Sequence, residues 1–210
     1  MRTADRQQDG HWLRDDVAAI ILAGGKNTRM GGADKAFLTV SGQTVFARTL
    51  DLLRHCFPQV VVVSNRPQKY AGFDVEVTSD EFPGRGPLAG IHAGLGVIRQ
   101  PYAFVVACDM PFLRVEPIAF LTRRLTAQDA VIPCWDGDIE PLHAIYASGL
   151  RRHMAAALRG GVYAIREFLP TIRAEYVAEA LMREIDGVDE SFRNVNTPED
   201  AARFAVHVDA

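Results

Sequence analysis

The chain has 210 residues, 48% of them hydrophobic and 23% charged, so it holds enough apolar material to bury a core without a disulfide or metal staple. A net charge of -3 at pH 7 argues against a surface built for nucleic acid. Three widely spaced cysteines, Cys56, Cys108 and Cys134, form no C-x-x-C pair, which excludes a zinc knuckle or disulfide framework and points to a reducing, cytoplasmic setting.

Residues 1–16 mix both charge signs and lack an apolar core, so they read as a mobile tail, followed by a single domain over 17–210. The longest apolar stretches are far shorter than the ~20 residues a membrane helix needs, so no membrane role is expected. Val17–Leu22 is a continuous apolar run ending at a glycine pair, the pattern of a strand buried on both faces. Phe46, Leu50, Leu53 and Phe57 then define one face of a helix. Val60–Ser64 and Tyr102–Ala107 repeat the buried-strand pattern, and Asp74–Thr78 alternates as a strand near an edge would. Ile118, Leu121 and Leu125 mark another helix, with Pro117 placed to open it. Pro141–Ala147 reads as a further strand, followed by helices around Gly149–Arg159 and Val162–Leu169. Thr197-Pro198-Glu199-Asp200 has the residues of a helix start. The alternation predicts an α/β fold, Rossmann-like, with a mostly parallel sheet and helices on both faces. Such sheets bind ligands at the carboxyl ends of their strands.

Those ends carry the chemistry. Leu22–Lys35 (LAGGKNTRMGGADK) packs four glycines and three cations into one loop. It reads either as a basic surface loop or, better, as an anion cradle of backbone N–H groups with Arg29 and Lys35 supplying positive charge. It matches neither a P-loop nor a dinucleotide fingerprint. Asp109, directly after the third buried run, is either a helix cap or one carboxylate of a magnesium site completed by substrate phosphates. Gly84, Gly86 and Gly90 imitate a dinucleotide-binding pattern. A turn followed by a helix opened at Pro87, with Gly86, Gly90 and Gly94 on one closely packed face, explains them better. Asn194 and Asn196 point the same way in an extended stretch, as turn formers or as amides orienting a bound water or anion. His143 reads as a packed residue, and no serine-nucleophile elbow is present.

The segments LAGGKNTRMGGADK (22–35), GPLAGI (86–91), CDMPFL (108–113), EPLHAIY (140–146) and FRNVNTPED (192–200) together resemble the molybdenum cofactor guanylyltransferases (MobA), within the small-molecule nucleotidyltransferases. The resemblance spans about 22 to 200. It implies a nucleotide-diphospho-sugar-transferase type of fold and transfer of GMP from GTP to molybdenum-bound molybdopterin, with Mg²⁺ required and pyrophosphate released. It implies that Leu22, Ala23, Gly24 and Gly25 meet the nucleotide, Lys35 its phosphates, and Asn65 and Asp80 the same nucleotide site. Asp109 would bind Mg²⁺. Arg29 would act with Lys35 and Asp109 in catalysis, and Gly32, Gly86, Gly90, Asn194 and Asn196 would contact pterin or phosphate. Residues 149–190 would shape the pterin pocket, with Arg166 a candidate anion contact. Other proteins of cofactor biosynthesis and the molybdoenzymes that take the product are the partners it suggests. The alternatives are a cytidylyltransferase for the same pterin, a dinucleotide-dependent oxidoreductase resting on Gly84–Gly90, and a GTP-binding module without catalysis. The sequence Leu22-Ala23-Gly24-Gly25, in place of the cytidylyl relatives' L-A-A-G, and the presence of GPLAG favour GTP.

Overall fold

A computed structural model describes residues 13–24, 35–40, 42–195, 200 and 206–207. The strands are β1 (Val17–Leu22), β2 (Thr39–Val40), β3 (Gln43–Thr44), β4 (Val60–Val63), β5 (Glu76–Thr78), β6 (Tyr102–Ala107), β7 (Ala130–Trp135), β8 (Asp138–Ile139), β9 (His143–Ala147), β10 (Ala174–Val177) and β11 (Val206–His207). The helices are α1 (Val45–Cys56), α2 (Pro87–Leu95), α3 (Val115–Arg124), α4 (Arg151–Arg159), α5 (Ile165–Phe168), α6 (Glu179–Met182) and α7 (Val188–Ser191).

The main sheet runs in the order β10-β7-β9-β6-β1-β4-β5, with β8 folded back on β7. Its pairs are parallel except where β9 meets β6 and β7 and where β8 meets β7. The mostly parallel doubly wound sheet is therefore present, with β9 reversed within it. β1 sits between β6 and β4 and is buried along its whole length. Its odd positions Val17, Ala19 and Ile21 pack with α1 and α3, while Ile20 and Leu22 pack with α2 and α4. A strand covered on both faces needs apolar residues at every position, which is why it reads as an unbroken run.

Helix boundaries follow local chemistry. Thr44 caps α1, its hydroxyl oxygen accepting the Ala47 N–H at 3.1 Å, and Phe46, Leu50 and Leu53 carry its buried face. Phe57 lies just past the end as the C-cap. Gly86, at φ +74, turns the chain into α2, and Pro87 opens it. In α3 the opening residue is Val115, not Pro117; the proline is third, still in the first turn where its missing N–H breaks no helical bond. The helix expected over Gly149–Arg159 starts at Arg151 after a 3-10 turn, and the one expected over Val162–Leu169 shrinks to α5 and a second 3-10 turn. The helix start expected at Thr197 lies outside the described residues.

The tail boundary moves as well. Leu13 donates its N–H to Cys56 O at 2.8 Å, and Arg14 bridges Asp16 to the carbonyls of Thr122 and Leu125 at the end of α3. Leu13–Asp16 are thus bound into the body of the protein. A small sheet, β11-β2-β3, stands beside the main one, and Leu38, Val40, Val45 and Val195 form the cluster next to it. Among the described residues no helix is long and apolar enough to cross a membrane.

Candidate active site

The ends of β1 and β6 are tied together: Cys108 donates its N–H to Leu22 O at 3.2 Å, and Ala23 donates to Val63 O at 3.0 Å. Asp109 follows immediately, half-buried, and its carbonyl accepts the Val195 N–H at 2.9 Å. That bond brings the 192–195 segment from the far end of the sequence to the carboxyl edge of the sheet. Asn194 arrives with it, its Oδ1 buried and without a hydrogen-bond partner. Leu22, Ala23, Gly24, Asp109 and Asn194 therefore share one edge, as the sequence predicts. Gly25, Arg29, Gly32 and Asn196 lie outside the described residues. Lys35 begins a 3-10 turn, Lys35–Phe37, that leads into the small sheet.

Asn65 and Asp80 meet beyond β4 and β5. Asn65 Oδ1 accepts the Asp80 N–H at 3.1 Å, and Asp80 Oδ1 accepts the Phe82 N–H at 2.7 Å. One Asp80 oxygen is thus committed to its own turn, which fixes the carboxylate before any ligand arrives. Gly86, exposed at the start of α2, has Tyr163 O 3.5 Å from where a Cβ would stand. Gly90 and Gly94 have a packing role. A Cβ at Gly90 would come 3.1 Å from Leu22 Cδ2, and one at Gly94 2.7 Å from Ile20 Cγ2. At Gly90 and Gly94 the helix lies directly on β1, as the spacing predicts, whereas Gly86, the exposed N-cap, does not share that face. The dinucleotide reading of Gly84–Gly90 fails here, because Gly84 and Gly86 form the turn into α2 and Gly90 lies within that helix, all after the edge strand β5 instead of the first strand.

A second group of residues stands across β6. β9 is antiparallel, with Val106 opposite His143, and Ala107 donates its N–H to Leu142 O at 3.2 Å. Glu140 therefore comes alongside Asp109. Burial raises the Glu140 carboxyl above its usual range; the Asp138 and Asp109 charges push the same way and Arg166 opposes. Arg166 itself forms a two-bond pair with Asp138, with Nη2 to Oδ2 at 2.6 Å. Glu140 has no role legible in the sequence, although EPLHAIY stands out as a motif. The residue before a strand in a parallel sheet sits at the wrong edge, and only the reversal of β9 puts it here. The Asp136-Gly137 turn between β7 and β8, at φ 51 and 75, is the signal that was available for this hairpin.

His143 is fully buried, as expected of a packed residue, with neither ring nitrogen bonded. It lies edge-on to Phe104 at 5.1 Å and 4.5 Å from Phe192, and Phe192 stacks on Trp135 at 5.1 Å. Burial holds its pKa down to about 3. This aromatic series seats Phe192, and so the segment that carries Val195 to Asp109.

Among the described residues no group of three or more His, Cys, Asp and Glu side chains could cage a metal. Asp109 and the partnerless amide oxygen of Asn194 are hard oxygen donors, a set that fits a divalent cation completed by phosphate oxygens.

A doubly wound sheet with a glycine-rich sequence after its central strand and a carboxylate after the neighbouring one defines a nucleotidyltransferase-type α/β domain. The chain belongs to the MobA-like NTP transferase domain family, whose model matches residues 19–176. It is 34% identical over 197 residues to the molybdenum cofactor guanylyltransferase of Desulfosudis oleivorans, covering 93% of this chain and 98% of that protein. It is 33% identical over 190 residues to a probable molybdenum cofactor guanylyltransferase of Pelotomaculum thermopropionicum, covering 90% and 92%. The crystal structure of molybdopterin-guanine dinucleotide biosynthesis protein A from Archaeoglobus fulgidus superposes with a TM-score of 0.78 at 29% identity, over 89% of this chain and 96% of that one. Nucleotidyltransferases of this kind typically depend on a divalent metal.

Proposed function

We propose that this protein transfers GMP from GTP to the terminal phosphate of molybdenum-bound molybdopterin, forming the guanine dinucleotide cofactor and releasing pyrophosphate. The observation that carries the reading is the convergence at one sheet edge of the end of β1, Asp109 and the 192–195 segment, in a chain of this family. A phosphate oxygen of the acceptor attacks the α-phosphorus of GTP, a P–O bond forms, and the bond to the departing pyrophosphate breaks. The nucleophile is already ionised, so no general base is needed. The obstacle is repulsion between two polyanions, and catalysis consists of offsetting it as charge develops on the leaving group.

In this reading Leu22, Ala23, Gly24 and Gly25 border the nucleoside, with Asn65 and the preset carboxylate of Asp80 at the base. Guanine offers N1–H and N2–H donors that Asp80 can accept. Arg29 and Lys35 neutralise phosphate charge, and Gly32, Gly86, Asn194 and Asn196 border phosphate or pterin. Asp109, with Asn194 beside it, would hold Mg²⁺, which when bound screens the phosphates as a Lewis acid. Gly90 serves the site by letting α2 seat Leu22.

The test is the purified chain with Mg²⁺, molybdenum-loaded molybdopterin and either GTP or CTP, reading pyrophosphate and the dinucleotide product. GTP-selective turnover is expected. Preference for CTP would move the protein to the cytidylyl sister group. Binding of GTP without pyrophosphate release would leave a non-catalytic module.

A further inference from the structure

The main chain around Glu140 is held rigidly. Its N–H donates to Pro133 O at 2.8 Å and its carbonyl accepts the His143 N–H at 3.2 Å. Pro141 O accepts the hydroxyl of the buried Tyr146 at 2.8 Å, and Leu142 O is bonded to Ala107. The carboxylate on this mount makes no hydrogen bond or ion pair with the described residues, although it is half-buried. Arg166, the cation among the described residues whose charge reaches it, is engaged by Asp138. A partly desolvated carboxylate without a partner is costly unless something outside the chain completes it. A rigid backbone under an unsatisfied side chain is how a binding group is preorganised.

Its position says what completes it. In the sheet, Asn65 and Asp80 follow β4 and β5, on one side of β1, whereas Glu140 leads into β9, on the far side of β6. Asp109, at the end of β6, stands between the two groups. With the nucleotide on the β4–β5 side, Glu140 faces the other reactant.

We infer that Glu140 is a specificity residue for the acceptor, accepting hydrogen bonds from the ring N–H groups of a pterin and repelling the acceptor's phosphate end toward Asp109 and the α-phosphorus. This rests on the guanylyl-transfer reading and deepens it at the acceptor. A carboxylate discriminates between the two ends of such a molecule because it attracts N–H donors and repels phosphate. The role needs Glu140 to lie beside the bound cation without being its ligand.

Glu140→Gln and Glu140→Ala in the full chain test it, the first preserving side-chain shape should the second fail to fold. The KM for molybdopterin should rise about 10- to 100-fold, the loss of one charge-assisted hydrogen bond, with the KM for GTP changed less than about twofold. Mn²⁺ affinity, read from the spin resonance of free Mn²⁺ in the presence of GTP, should stay the same. An unchanged molybdopterin KM would overturn the inference, and so would a parallel loss of Mn²⁺ affinity, which would make Glu140 a metal ligand. A wild-type protein that transfers no nucleotide to molybdopterin would overturn the functional reading itself, a result seen before any variant is compared.

Discussion

The two sides of the site are built on opposite principles. Beyond β4 and β5, polar groups satisfy one another: Asn65 holds Asp80, and Asp80 holds the turn at Phe82. Around β6 and β9, polar groups stand unsatisfied: the Asn194 amide oxygen lacks a partner, and Glu140 makes no bond to the described residues. The first side is a preset mould, fixed before any ligand arrives, and in the proposed function it receives the base. The second holds its backbone tightly and leaves its side chains open, in the proposed function to be completed by cation and acceptor. Satisfied networks confer rigidity, and unsatisfied groups are tolerated where a ligand supplies what is missing.

Asp109, where the two sides meet, should give the largest effect. Asp109→Ala should lower turnover by two decades or more, about 3 kcal/mol of barrier, with little loss of stability because the bond to Val195 uses the backbone. Single-turnover rates beside a denaturant titration separate the two, and normal turnover would remove Asp109 from the chemistry.

His143 gives the next effect, this time on stability. Its folded pKa, held to about 3, lies below the ordinary value of 6.5, so the unfolded chain takes up a proton that the folded one refuses. Stability is therefore retained above pH 6.5 and lost as pH falls toward 3, by about 2–3 kcal/mol at pH 4.5. His143→Phe should remove that part of the acid sensitivity. Denaturant midpoints at pH 7 and 4.5 that moved equally in both proteins would show that the orphaned imidazole carries no such cost.

Packing under the mould comes third. Gly94→Ala places a methyl 2.7 Å from Ile20 Cγ2 in a fully packed layer and should cost about 1–3 kcal/mol. Gly90→Ala meets the more yielding end of Leu22 at 3.1 Å, and its helix-propensity gain offsets most of the strain. Thermal midpoints should rank Gly94→Ala well below Gly90→Ala. The smallest effect is at the preset side: Asn65→Ala should weaken GTP binding about tenfold, the value of one lost hydrogen bond, leaving turnover at saturation intact. Calorimetry with GTP decides this, and unchanged affinity would mean that Asp80 does not need Asn65 to hold it.

β1, β4 and β6 were legible because strands covered on both faces must be apolar at every position. β7 was not, since AVIPCW carries a proline where a central strand is expected to donate to its ladder. β10, AEYV, is half-exposed at the sheet edge and lacks a strong pattern. The placement of Asn65 and Asp80 was readable because they follow parallel strands, whose last residues belong to the ligand-binding edge by rule. Glu140 escaped because strand direction is a tertiary fact: one reversed strand carries its first residues to the edge where its neighbours carry their last.

The stack of Trp135 on Phe192, under the guanidinium of Arg183 at 4.6 Å, has an optical consequence. The chain has two tryptophans, and the other, Trp12, lies far along the sequence in the N-terminal segment. Trp12→Phe would leave a single emitter on the hairpin that leads into Glu140, touching the segment that reaches Asp109. Its fluorescence should respond when the pterin enters and stay steady when GTP alone binds, so that the order in which the two substrates arrive can be followed in a cuvette without a label.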